Sequence, residues 1–247
     1  MTVEKCIENE SNRANVLYSL ALNLPENLYH EALEIAREIK FELYRVNVLY
    51  FLAQNLPDNL YKEALEIALQ IYSEPFRSNI FSSLAQKLQD ENLYKEVLEI
   101  ARQMESRNCA KVLSSLAQNL PENLYQKKLK IAREIKFEFY REKVLSSLTQ
   151  NLPENVYDEA LEITRQIKSE SYRTNILSSL ANVMPPNKYQ NEVFPMWSEL
   201  LENLSKKERI EFQENTNTLL PVIFYLGSKE AIMELATAIQ DVARWWR

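Results

Sequence analysis

Few residues in this chain are of a type suited to catalysis or metal binding, and their spacing does not gather them. One histidine, His30, and two cysteines, Cys6 and Cys109, are the only imidazole and thiol groups in 247 residues. They fit no zinc-ligand spacing, and two cysteines so far apart point to a reducing compartment. Carboxylates do occur in pairs three residues apart, at Glu31/Glu34, Glu63/Glu66, Glu96/Glu99 and Glu159/Glu162. Acid/base catalysis needs two carboxyl groups whose environments push their pKa values apart. A pair copied four times along the chain is not of that kind. Phosphate loops and dinucleotide fingerprints need several glycines, and this chain has one, Gly227. No catalytic, cofactor-binding or metal-ligating residue is therefore expected, and the chain reads as a non-enzyme without a cofactor.

What recurs is a whole unit. The stretch LSSLAQNLPENLY at 113–125 has counterparts beginning near Leu17, Leu49, Phe81, Leu145 and Leu177. An arginine opens the units at Arg13, Arg45, Arg77, Arg141 and Arg173, with Cys109 in the fourth slot, so the period is 32 residues. Six units follow at 13–44, 45–76, 77–108, 109–140, 141–172 and 173–204. Each holds two apolar stripes. In the second, Val48, Leu49, Leu52, Ala53 and Leu56 lie on one face of a helix A, which ends at Pro57. Helix B follows, with Tyr61, Ala64, Leu65, Ile67, Ala68 and Ile71 as its apolar face. A fixed period of this size predicts an all-α chain, a right-handed α-solenoid of helical hairpins whose units contact mainly their neighbours.

Local signals refine the boundaries. Asparagine recurs before helix B at Asn27, Asn59, Asn92, Asn123, Asn155 and Asn187, which predicts an N-cap in every unit. Ser73 and Ser169 read as caps of the following helix A. The third unit carries a turn one residue longer, QDEN in place of PEN, and loses one residue before Cys109, which restores the phase. The recurring arginine is expected to pair with glutamates closing the preceding helix B, such as Glu42 before Arg45. Tyr44, Phe76, Tyr140 and Tyr172 precede it and read as a packed elbow. Residues 1–12 read as the remnant of a helix B, with Val3 and Ile7 in core slots. The expectation is that the array continues upstream in a longer parent, rather than starting at a half-repeat cap. Residues 205–247 read as a C-terminal helical cap. There Gly227 suits a C′ position, Ser228 caps the last helix, and Ile232, Leu235 and Ile239 face the array.

The pattern L-x-x-L-A at 17–21, with Tyr29, Ala32 and Ala36 beyond it, resembles a tetratricopeptide repeat shortened by two residues. It lacks that family's small residue in the intra-repeat turn and its closing proline, so the chain is TPR-like. The segment 219–247, LLPVIFYLGSKEAIMELATAIQDVARWWR, resembles the tail of large bacterial STAND-type signalling NTPases. There a P-x-I-x-x-L-G element and a terminal A-I-x-D-V-x-x-W-W close a helical repeat array. Pro221, Ile223, Leu226, Gly227, Ala238, Ile239, Asp241, Val242, Trp245 and Trp246 match it. The resemblance implies a sensor module that controls a nucleotide-switch domain and an effector. No Walker lysine occurs in this chain.

By analogy with tetratricopeptide geometry, helix A lines a concave surface. Its outward positions are Asn15, Tyr18 and Leu22; Asn47, Tyr50 and Gln54; Asn79, Ser82 and Gln86. They continue with Lys111, Ser114 and Gln118; Lys143, Ser146 and Gln150; Asn175, Ser178 and Asn182. This ladder suits a protein or peptide ligand, with Tyr18 and Tyr50 as anchors; the plain alternative is a solvated helix face. In the fourth unit Lys127 and Lys130, beside Lys128, replace the exposed acids of helix B. They read as a solvated face or as a charge-marked contact. A net charge of −6 argues against nucleic acid and anionic lipid, and no apolar run approaches the ~20 residues of a membrane span. The expectation is a cytoplasmic binding module. A structural scaffold that mediates self-assembly is the alternative, and mass in solution separates the two.

Overall fold

The computed structural model describes residues 10–21, 23–116, 120–204, 206 and 215–245, with the side chains of all but 204, 235 and 238–245. Among the described residues every regular element is helical. The chain forms two compact units, Met1–Leu124 and Tyr125–Arg247, divided inside the fourth repeat between its helices A and B. The expected remnant at 1–12 lies almost wholly outside the described residues, as do Leu22 and Gln118.

The first unit contains α1 (Glu10–Leu20), α2 (Tyr29–Glu38), α3 (Glu42–Asn55), α4 (Tyr61–Leu69), α5 (Glu74–Ala85), α6 (Glu91–Arg102) and α7 (Ser106–Ser115). Odd-numbered helices are the A helices: α1 packs on α3, α3 on α5 and α5 on α7. Helix α2 packs on α4, and α2, α4 and α6 each pack on the A helix that follows. The second unit contains α8 (Tyr125–Glu134), α9 (Glu138–Leu148), α10 (Tyr157–Arg165), α11 (Glu170–Ala181), α12 (Pro186–Leu204) and α13 (Leu220–Trp245). There α9 packs on α11, α8 on α10, and α13 packs on α11 and α12.

The stripes read from the sequence form the core. Val48, Leu49, Leu52, Leu65, Ile67, Ile71, Ile80, Phe81 and Leu84 are all but fully buried. Each such aliphatic side chain contributes ~1.5–3 kcal/mol relative to exposure. The recurring tyrosine of helix B is buried as well, and its hydroxyl reaches a backbone carbonyl. Tyr29 donates to the Ala21 oxygen at 3.2 Å, and Tyr94 donates to Leu88. Tyr157 donates to Val183 at 3.2 Å, so burying the phenol leaves no orphaned donor there.

Asparagine does not cap helix B in the first, second and fifth units. Asn27, Asn59 and Asn155 lie inside 3₁₀ turns, Glu26–Leu28, Asp58–Leu60 and Glu154–Val156, and the helix ends at Leu28, Leu60 and Val156 have no side-chain cap. The turn closes through its backbone instead. The Leu28, Leu60 and Val156 amides donate to the carbonyls of Pro25, Pro57 and Pro153 at 2.9, 3.0 and 3.2 Å, the i→i+3 pattern of a 3₁₀ turn. The third unit has no proline there, and its extra residue supplies a true cap. The Asp90 carboxylate accepts from the amides of Asn92 at 2.7 Å and Leu93 at 3.2 Å.

The C-terminal signals also act differently from expectation. Gly227 does not take a positive φ; Ser228 does, at φ 62 and ψ −164, a region that favours glycine. Gly227 is required for space, because a Cβ there would come within 2.5 Å of the Ala231 Cβ. The Ser228 hydroxyl donates to the Glu230 carboxylate.

Candidate functional site

Helix A bears the positions expected to meet a partner, and the structure brings some of them together. Asn47, Tyr50, Gln86, Lys111, Lys143 and Gln150 are exposed; Gln54, Asn79 and Asn175 are half-buried. Lys111 donates to the side chain of Asn79, the same position one repeat earlier, so equivalent residues of α5 and α7 are neighbours. In the first unit the ring centres of Tyr18 of α1 and Phe51 of α3 lie 4.2 Å apart, edge to face, and that of Tyr50 lies 5.5 Å from Phe51. These rings form an aromatic cluster at the end of the ladder. Two rungs are lost to the interior: Ser82 is buried, and Ser178 is buried with its hydroxyl bonded to the Thr218 carbonyl.

The repeated arginine is structural, but its partner is not the expected glutamate. Arg45 donates through Nε and Nη2 to the Ile39 carbonyl at 2.9 and 2.6 Å. Arg77 and Arg141 reach the Ile71 and Ile135 carbonyls at 3.3 and 2.7 Å. Each guanidinium thus satisfies a carbonyl at the C-terminal end of the preceding helix B, where a cation is also favoured by the helix dipole. Arg13 and Arg173 instead meet a glutamate on the helix B of their own unit, Glu38 at 4.0 Å and Glu199 at 3.0 Å.

Glu42 serves another purpose, one that sequence reading missed. Its carboxylate accepts from the amides of Tyr72 at 2.7 Å and Ser73 at 3.1 Å, which open α5. Glu10 does the same for Phe41 at 3.0 Å, Glu74 for Glu105 at 2.7 Å, and Glu138 for Lys168 and Ser169 at 2.9 and 3.0 Å. A helix start leaves amides unpaired, and here a carboxylate 30 or 31 residues earlier supplies the acceptor. Partial burial pushes the Glu138 carboxyl up, but the two amides, with Arg141 and Lys168 nearby, hold it below the usual range. The available signal was a constant offset, three residues before the arginine. The fourth unit has Ser106 at that slot.

Lys128 lies between the two lysines expected on the outer face of helix B. It is fully buried, at 0% exposure, and its ammonium nitrogen has no hydrogen-bond partner. Burial therefore pushes the amine well below its ordinary value. Lys130 is exposed as expected.

His30 lies 2.9 Å from the half-buried carboxylate of Glu63, and Arg37 lies 3.7 Å from the same group. Cys109 is buried, and no group of three or more metal-ligating side chains occurs among the described residues. Two open clefts lie along the A–B turns of the first unit. One, of about 580 Å³, has Tyr61, Leu88 and Tyr94 at its floor and Asp58, Gln86 and Lys87 at its rim. Burial, then Asp58, pushes the Tyr61 phenol up to about 12, so it stays protonated at neutral pH. The other, of about 500 Å³, is lined by Glu26, Asn27, His30, Pro57, Asn59 and Leu60. Of the expected ladder, Gln86 borders the first of these clefts.

No known family matches the chain, and no curated protein is similar to it. Among solved structures it is similar to one described as a computational design of self-assembling cyclic protein homo-oligomers, at 16% identity over 91% of this chain and 81% of that one. The TM-score is 0.18, too low for that likeness to carry a functional argument. No described helix is long and apolar enough to cross a membrane.

Proposed function

We propose that this chain is a non-enzymatic protein- or peptide-binding module, a right-handed TPR-like solenoid with a 32-residue period and a C-terminal cap. We further propose that it serves as the sensor part of a bacterial STAND-type signalling or defence NTPase acting in the cytoplasm. The single observation that carries the binding reading is the direct Asn79–Lys111 bond between equivalent positions of adjacent A helices. A ligand lying across the A helices would meet the same polar position once per repeat, with Tyr18, Tyr50 and Phe51 offering rings at one end. Ladders of that form suit an extended segment whose backbone groups recur at short intervals.

The test is selection of peptides from a displayed random library on the full chain, followed by affinity measurements on Asn47→Ala and Tyr50→Ala. The expected outcome is an enriched peptide whose affinity falls about tenfold on loss of the Tyr50 ring, the scale of an aromatic hot spot. Failure to enrich any peptide, or saturable ATP binding abolished by a point substitution, overturns the reading.

A further inference from the structure

Beside the elbow tyrosines Tyr140 and Tyr172, expected to be packed, two further rings are bare. In the second unit Phe137 is 56% exposed and Phe139 41% exposed, while Tyr140 and Tyr172 are half-buried. The four rings touch: Phe139 lies 5.2 Å from Tyr140 and 6.0 Å from Tyr172, and Phe137 lies 6.3 Å from Tyr140. Contiguous exposed aromatic surface marks contact sites, because its cost in water is recovered when a partner covers it.

The charge around these rings narrows the partner. Lys136 stands 5.8 Å from the centre of the Phe137 ring, and Lys143 stands 4.6 Å from that of Phe139. Between 126 and 143 six basic residues besides the buried Lys128 outnumber three acids, in a chain whose net charge is −6. Two acids of α9, Glu138 and Glu142, keep their charge but aim their carboxylates at protein donors. Glu138 accepts the Lys168 and Ser169 amides, and Glu142 accepts from the Ser146 hydroxyl. The edge therefore presents aromatic faces and ammonium groups together.

We propose that this elbow, built on Phe137, Phe139, Tyr172, Lys136 and Lys143, is a docking site for an acidic peptide segment carrying an apolar or aromatic anchor. The anchor covers the Phe139–Tyr172 surface, and flanking carboxylates meet Lys136 and Lys143, whose stacking over the rings holds the ammonium groups at the rim. This rests on the peptide-binding reading but places the contact at the repeat edge, away from the helix A ladder.

The experiment is fluorescence anisotropy on the full chain with a labelled peptide of a central Leu-Trp pair flanked by glutamates. A second probe has lysines in place of the glutamates. Saturable, salt-sensitive binding of the acidic probe alone is expected. Phe139→Ala and Lys143→Glu should each weaken it by about tenfold or more, as loss of an anchor or a charge partner does. Both sites are exposed, and unchanged circular dichroism confirms folding. Lys62→Glu, a charge reversal on α4, should have no effect. Equal binding of the two probes, equal affinity of the variants, or binding only to phosphatidylserine vesicles overturns the assignment. Reversible dimerisation abolished by Phe139→Ala overturns it too, since the patch would then serve a second copy. If library peptides bind through Tyr50 and are indifferent to Phe139, the module reading stands and this site falls.

Discussion

At the scale of single residues, Lys128 shows most clearly where sequence and structure part. It fills the slot held by Ala32, Ala64, Val97 and Ala160, all buried in helix B. A lysine between two others looks like surface, since lysine is almost never fully buried. The repeat register, which places it among core alanines, was the stronger guide. Its folded-state pKa lies below the ordinary 10.5, so the unfolded chain binds the proton more tightly. The cost is full below the folded value and fades as pH rises toward 10.5. Lys128→Met should raise the melting temperature by several degrees near neutral pH, with the gain shrinking to nothing in alkaline buffer. A pH series of thermal melts checks it, and a gain independent of pH would show that the amine is solvated.

Helix boundaries belong to the scale of elements, and there the sequence was legible in outline only. The apolar stripes of helices A and B were plain, because a 3.6-residue period survives every variation among the six units. The ends were not. A Pro–acid–Asn triplet satisfies its own amides through a 3₁₀ turn, which leaves asparagine no donor to cap. The carboxylate ties from Glu42, Glu74 and Glu138 join residues 30 or 31 apart, beyond the reach of any local rule. The structural assignment of caps is testable by comparison. Asp90→Ala should destabilise by ~1 kcal/mol, as loss of an N-cap does, while Asn59→Ala should cost only a few tenths. Denaturant melts of the two variants distinguish them, and equal losses would return asparagine to the capping role.

At the scale of the whole molecule, the alternation of helices A and B read from the sequence recurs in the contacts of each compact unit. Within each compact unit A helices pack on A helices and every B helix borders the A helix that follows. Core residues recur at matched positions, as Leu49, Phe81, Leu113, Leu145 and Leu177 do, all buried. The candidate site was legible to a lesser degree. The ladder could be placed on helix A from spacing alone, but the loss of Ser82 and Ser178 to the interior depends on packing between elements. So does the exposure of the elbow rings, which no periodicity reports.

Interchangeable units are the central claim, and excising one of them in phase tests it most directly. Removing residues 45–76 joins Tyr44 to Arg77 and replaces one helix A start with its equivalent, ELYR against EPFR. In a stack of near-equivalent repeats the neighbours re-form the same interface, and stability falls by about one repeat's share. Circular dichroism and thermal melting should show a helical, cooperatively folding chain of somewhat lower melting temperature. Removing residues 45–60 instead, half a period, should leave an aggregated or unfolded chain. Equal collapse of both deletions would contradict the repeat account.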